Sequence, residues 1–210
     1  MTATAQQQQA DRYRVSFVDP WPPSVEWSVD RYRKAHETGV IGEDEPVELL
    51  YGKIVYKMGS NPPHAACIQL LMEYFFERYY KKYGLRSENA IQLSDTSLPE
   101  PDFAVVTYRA DHYAHTYPQG EDVVLIIEVA DSSLAFDRIH KASAYALAGI
   151  SEYWIVNLRD RRLELHLSPD LTDGVYMSVN HYGEDDTVDS PFAGTLQVAR
   201  LLPPVLPLDE

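Results

Sequence analysis

Cysteine is almost missing from this 210-residue chain: Cys67 stands alone, which excludes an internal disulfide and leaves nothing that points to an oxidising compartment. No apolar run approaches the roughly 20 residues a membrane-spanning helix needs, and no basic-then-apolar start suggests a secretion signal. The expectation is a cytoplasmic protein with no membrane partner. Basic residues are scarce as well. Eighteen Lys and Arg stand against 32 Asp and Glu, a formal net charge of -14. Proteins that hold nucleic acid mainly through phosphates carry a basic footprint, so tight nonspecific DNA binding is disfavoured. Net charge alone does not exclude nucleic acid, because a local cluster or a bound divalent cation reverses the field at one site. There is no glycine-rich phosphate loop, no G-x-S-x-G elbow and no Cys-His pairing around Cys67, which removes the common nucleotide-binding and acyl-transfer patterns.

What remains, 45% hydrophobic and 24% charged, suits a globular chain with one well-buried core. Residues 1–23, with Gln6-Gln7-Gln8-Gln9 and then Pro20, Pro22 and Pro23, read as a flexible N-terminal tail. Residues 24–203 read as one domain and 204–210 as a C-terminal tail. Ser28 precedes a short helix with Val29, Tyr32 and Ala35 on one side and Gly39 as its stop. Two short strands flank a turn at Gly52. The strongest helix, from about His64 to Tyr83, repeats Ile68, Leu71, Met72, Phe75 and Tyr79 at three- and four-residue spacing, with Gly84 as its end. Strands follow at Arg86 to Leu93, Phe103 to Thr107 and Val123 to Val129, the last apolar at almost every position and so covered on both faces. Asp131, Ser132 and Ser133 offer caps for an alanine-rich helix from about Ala135 to Ala148. Strands at Tyr153 to Asn157 and Leu163 to Leu167 come next. A hairpin pairing Tyr176 to Tyr182 with Thr195 to Leu201 around Glu184-Asp185-Asp186 closes the chain. The order predicts an α/β fold, a mixed sheet flanked by helices with extra strands at both ends.

One residue violates the pattern. Glu128 lies inside Val123-Val124-Leu125-Ile126-Ile127-Glu128-Val129-Ala130, where a carboxylate is costly unless it is paired, protonated or bound to a cation. Asp102 opens the preceding strand. If the two strands run antiparallel, the start of one lies beside the end of the other and the two acids converge at a sheet edge. Two hard oxygen donors suit Mg²⁺, or Mn²⁺, which completes its shell with water and phosphate oxygens. Lys141, about two turns into the next helix, is placed to reach back over that end of the sheet, where a cation orients water or stabilises a phosphoryl transition state. Each residue has a plainer reading. Asp after Pro is a common turn residue, and Lys141 follows Asp137 at the spacing of a surface ion pair.

These residues and their surroundings resemble the Uma-type restriction endonuclease domain family, a branch of the PD-(D/E)xK nuclease superfamily. The similarity spans about Trp27 to Leu202. Its most specific stretch is Ile127-Glu128-Val129-Ala130-Asp131-Ser132-Ser133, followed by Asp137, Lys141, Tyr145, Gly149 and Glu152-Tyr153-Trp154-Ile155-Val156. Glu48-Leu49-Leu50-Tyr51-Gly52-Lys53-Ile54-Val55 with Met58 and Pro63-His64 resembles its amino-terminal signature, and Asp186-Thr187-Val188 with Ser190-Pro191 its C-terminal hairpin. The resemblance implies a restriction-endonuclease-like core, a divalent metal at Asp102 and Glu128, and DNA as substrate. The superfamily lysine stands two residues after the second acid, where this chain has Ala130. The resemblance therefore places the lysine on the following helix, at Lys141.

Glu48 and His64 complete the candidate set. Glu48 resembles the family's early acid, with pairing to Lys53 across a hairpin as the alternative. His64 is suited to contact a phosphate or carry a proton near neutral pH, with a polar helix cap as the alternative. Gln92 is placed to line the site from the strand before Asp102, or has no function. His112 and His115 lack a second ligand pair for zinc and read as a polar loop, a candidate lid over the site. The functional expectation is a metal-dependent endonuclease cutting DNA, with a homodimer admitted because two-strand cutting favours two active sites. The alternative, motivated by the charge of -14, is a noncatalytic nucleic-acid or protein-interaction module that keeps the fold. A hydrolase of another phosphodiester is the third reading.

Overall fold

The computed structural model describes residues 25–57, 59 and 61–205. Of the expected tails and signature residues, 1–23, 206–210 and Met58 lie outside them. Ten strands are present among the described residues: β1 (Val47–Leu50), β2 (Lys53–Tyr56), β3 (Tyr83–Ser87), β4 (Phe103–Thr107), β5 (Val123–Ala130), β6 (Glu152–Asn157), β7 (Arg162–Asp170), β8 (Val175–Gly183), β9 (Thr187–Ser190) and β10 (Gly194–Gln197). Helix α1 spans Val29–Glu37 and α2 spans Pro62–Tyr79. A third helical run, α3, has a first turn at Leu134–Phe136, a π-helical stretch at Asp137–Lys141 and an α-helical stretch at Ala142–Leu147.

The apolar β5 sits inside a six-stranded mixed sheet ordered β3-β4-β5-β6-β7-β8. Its pairing with β6 is parallel, as the α3 crossover requires, and the other pairs are antiparallel. Strand alternation divides β5 between two cores. Leu125, Ile127 and Val129 join Phe75, Phe103 and Trp154 under α2. Ile126 and Ala130 join Tyr145, Ala146 and Tyr153 under α3. Glu128 has the parity of Ile126 and Ala130, so it points toward α3. The β1–β2 hairpin packs its apolar residues with α1 in a third cluster, where the Tyr32 hydroxyl donates to the Val47 carbonyl at 3.0 Å.

The β9–β10 hairpin is tied to the sheet through a buried carboxylate. Glu152 Oε1 accepts from Trp154 Nε1 at 2.7 Å and from Ser190 Oγ at 2.5 Å, and its Oε2 accepts from the Phe192 N–H at 2.9 Å. All three donors are thereby satisfied in a place water does not reach.

Five sequence expectations need correction. Helix α2 stops at Tyr79 rather than Tyr83, and Gly84 is in β3. A Cβ on Gly84 would come within 2.8 Å of Val106 Cγ2, so this glycine serves close approach to a neighbouring strand rather than helix termination. The strand expected over Arg86 to Leu93 is Tyr83–Ser87, because the chain leaves the sheet at Glu88 with a φ of 52°. No side-chain cap opens α3: Ser133 Oγ donates to Asp137 Oδ2 at 2.6 Å, and Asp131 is engaged elsewhere. The terminal hairpin is repaired differently, with β8 against β7 and β10 against β9. Strand β7, expected to end at Leu167, continues past Pro169 to Asp170. At Pro169 only β8 is a neighbour, since pairing with β6 ends at Leu167, and a missing N–H there costs no ladder bond.

Candidate active site

Antiparallel pairing of β4 with β5, Phe103 opposite Ile127, brings the residue before one strand beside the second-last residues of the other. Val129 N–H donates to Asp102 Oδ2 at 2.7 Å, and the Asp102 N–H reaches Glu128 Oε2 at 3.4 Å. The two acids meet at one margin of the sheet, lining a cleft of about 240 Å³ with Glu48, His64, Asp137 and Lys141.

The π-helical stretch supplies the cation. Its signature bond runs from the Ala142 N–H to the Asp137 carbonyl, five residues back. Lys141 closes this stretch and is buried, with Nζ donating to Glu128 Oε1 at 2.9 Å and lying 3.6 Å from Glu48 Oε1. Tyr145, one α-helical turn later, donates its hydroxyl to the same Glu128 oxygen at 2.6 Å. Arg138, at the other side of the stretch, is clamped to Glu164 on β7 by Nε at 2.9 Å and by a second guanidinium nitrogen at 2.5 Å. The expected Asp137–Lys141 surface pair is absent: both residues are buried and Asp137 takes its bond from Ser133.

Glu48 is buried on β1, stands opposite Val55, and accepts the Glu100 N–H on Oε2 at 2.9 Å. The alternative pairing with Lys53 does not occur; that lysine is exposed and opposite Leu50. Asn61 caps α2 by accepting the His64 N–H at 3.0 Å, and its amide nitrogen donates to Asp131 Oδ2 at 2.6 Å. That placement of the helix end sets His64 Nε2 at 3.2 Å from Asp102 Oδ2. His64 is therefore not the cap itself.

Charge in the cleft is unbalanced toward the acids. Burial, reinforced by Asp102, Asp137 and Glu48, pushes the Glu128 carboxyl well above the ordinary range despite Lys141. Burial likewise raises Asp137 to about 6, against the pull of Lys141 and Ser133. Asp102 goes the other way: burial would raise it, but His64, Lys141 and the Val129 N–H hold it low. The Asp102 hydrogen bond raises His64. Burial disfavours the Lys141 ammonium, yet the carboxylates around it, Glu128 first, keep it protonated.

Among the described residues no group of three or more His, Cys, Asp or Glu side chains is gathered as a metal cluster. The smaller donor set fits a hard cation nonetheless, because Mg²⁺ takes one or two carboxylates and fills its shell with water and phosphate. The excess of buried acids over cations is the physical signal of that fit. Gln92 and the His112–His115 loop do not line the cleft. The Gln92 N–H bonds to the Pro118 carbonyl, and His112 borders a different cavity, so neither a site glutamine nor a lid is present there. Sequence reasoning missed Tyr145 and Asn61 as site residues. Tyr145 was legible as the residue four after Lys141, on the same helix face; Asn61 acts through a contact between distant segments.

The Glu164 clamp makes a testable contribution. Burial works to raise the Glu164 carboxyl, but the nearby His166 ring, 3.9 Å away, and the hydrogen bonds from Arg138 and Asn157 outweigh it and hold it at about 2. A depressed carboxyl stabilises the fold fully above its ordinary value and loses that contribution as pH falls through the folded one. Glu164→Gln is expected to cost about 2 kcal/mol in urea unfolding at neutral pH, below the usual figure for a broken buried pair because Arg138 retains access to water. The gap between the two proteins should close on acidification below the ordinary carboxyl range toward pH 2.

A family model described as "Uma2: Putative restriction endonuclease" matches residues 29–201. Among solved structures, five chains match. One is described as a "putative nuclease belonging to DUF820" from Anabaena variabilis, with 14% identity and a TM-score of 0.61, over 83% of this chain and 96% of that one. It is similar in fold. No curated protein matches this chain. No helix among the described residues is long and apolar enough to cross a membrane.

Proposed function

The chain belongs to the Uma2 restriction endonuclease family, and from that premise we propose that it is a Mg²⁺-dependent endonuclease hydrolysing DNA phosphodiester bonds at the cleft between β4, β5 and α3. Family membership supports a nuclease-like function in general. The single observation that carries the finer reading is the meeting of Asp102 and Glu128 at one sheet margin with the buried Lys141 ammonium 2.9 Å from Glu128.

Asp102 and Glu128 would hold the cation, Mg²⁺ or Mn²⁺, which when bound polarises the scissile phosphate and acidifies an attacking water. The protein's own groups do the rest. Lys141 and Tyr145 both donate to Glu128 Oε1, fixing that carboxylate so that Oε2 faces Asp102. The Val129 N–H and His64 engage Asp102 Oδ2 and so orient its other oxygen. Lys141 is a buried positive charge beside Glu128, placed to offset negative charge developing on phosphorus, where a preorganised donor is worth most. His64, its imidazole raised by the hydrogen bond to Asp102, lines the cleft and is the candidate proton donor. Glu48, positioned by the Glu100 N–H, is the third acid available to orient water.

Two measurements test the reading. Supercoiled plasmid should be nicked in Mg²⁺ and left intact in excess chelator, and calorimetric Mg²⁺ or Mn²⁺ uptake should vanish in Glu128→Gln. Cation uptake without nicking would leave the noncatalytic module as the function. Uptake unchanged by Glu128→Gln would remove the site.

A further inference from the structure

A second cleft lies along the outer edge of the sheet. It has a volume of about 570 Å³ and runs beside β3, between the exposed side of α2 and the residues after β4. Its chemistry is the reverse of the first. Lys81, Arg86 and Arg109 line it, and no Asp or Glu does, in a chain of net charge -14. Asp111 stands behind, holding Arg109 at 2.7 Å. Among the described residues Arg86 Nε is buried with no hydrogen-bond partner.

The walls are aromatic. Phe76 and Tyr80 are 53% and 56% exposed and stack on each other with ring centroids 4.4 Å apart, an arrangement that leaves flat apolar faces open to water. Tyr108 and Tyr113 form the facing side, with the Arg109 guanidinium 4.4 Å from the Tyr113 ring centre. Flat rings interleaved with cations match a ligand of flat rings interleaved with anions. The two clefts also adjoin: Arg86 lines the second and Glu88 the first, and two residues of extended chain span at most about 7 Å.

We propose that this edge cleft binds an unpaired stretch of the nucleic-acid strand next to the bond being cut, bases stacking on Phe76, Tyr80 and Tyr108 and phosphates meeting Arg86, Arg109 and Lys81. The assignment rests on the nuclease reading for its role beside the reaction. An unpaired strand fits where a duplex does not, because bases in a helix are stacked on one another and offer only their edges. A narrow basic track also explains how so acidic a chain would approach nucleic acid.

The test is fluorescence anisotropy of a short labelled oligothymidine in excess chelator, so that the first cleft's cation plays no part. Wild type should bind, and Tyr80→Ala should weaken binding about tenfold, the loss of one stacked base. Arg86→Gln with Arg109→Gln should weaken it further and flatten the log-affinity against log-salt slope by about 1.4, two single-strand phosphate contacts. Oligothymidine binding by a wild type that never nicks plasmid would support this cleft while failing the nuclease reading, so the two are told apart. Absence of wild-type binding, equal binding by the cleft variants, or equal affinity for the matching duplex would each overturn it. So would sedimentation showing a dimer that Tyr80→Ala splits, since a second copy would then fill the cleft.

Discussion

Asp102→Asn is expected to lower Mg²⁺-dependent plasmid nicking by about 10³-fold while leaving the melting temperature close to that of wild type. The substitution removes charge and keeps shape. An amide oxygen can still accept the Val129 N–H that now reaches Oδ2 at 2.7 Å, so the junction of β4 and β5 is preserved. What disappears is one of the two anionic oxygen donors that would hold the cation, along with the partner that raises His64. Comparable nicking by wild type and variant would mean a contaminating nuclease or a reaction elsewhere on the molecule.

Lys141→Met should be the most destabilising single change in the cleft, about 3–5 kcal/mol by urea unfolding at neutral pH, because it strands buried carboxylates without their ammonium. Glu128 and Glu48 both lie within 3.6 Å or less of Nζ, and both are buried. Methionine fills similar volume, so lost packing contributes little. The charge argument is isolated by the double variant Lys141→Met/Glu128→Gln, which should recover most of the loss even though it carries one more substitution. Additive losses in the pair would show that Lys141 and Glu128 act on stability independently, and the short contact between them would carry no weight.

How much of this was legible in the sequence follows from what kind of contact each residue makes. Glu128 was visible because a charged residue in an apolar strand is a local anomaly. Its meeting with Asp102 followed from one topological condition, antiparallel pairing of consecutive strands, which holds. The two-layer cover of β5 was likewise a matter of composition. Boundaries set by tertiary neighbours were not legible. Gly84 read as a helix stop, but Val106 on the adjacent strand decides its place. Strand β7 was expected to end at Leu167, but its pairing with β8 carries it past the point where β6 stops. The pairing of β8 with β7 instead of with the last strand depends on which edge is free, a property no window of sequence contains. The bond from the Asn61 amide to Asp131 and the bond from the Glu100 N–H to Glu48 join segments far apart in the chain.

The five-residue turn before Ala142 bears on chain length rather than on residue type. A π-helical turn takes up one residue more than an α-helical turn, so the stretch holds an extra residue between the Arg138 clamp on β7 and the Lys141 contact with Glu128. Removing that residue would restore ordinary winding and leave the helix that carries the Tyr145 hydroxyl facing Glu128 as it does now. Relatives should therefore tolerate a one-residue deletion inside the turn better than one between Ala142 and Tyr145, where nothing absorbs the change and the Tyr145 side chain turns by about 100° relative to Lys141.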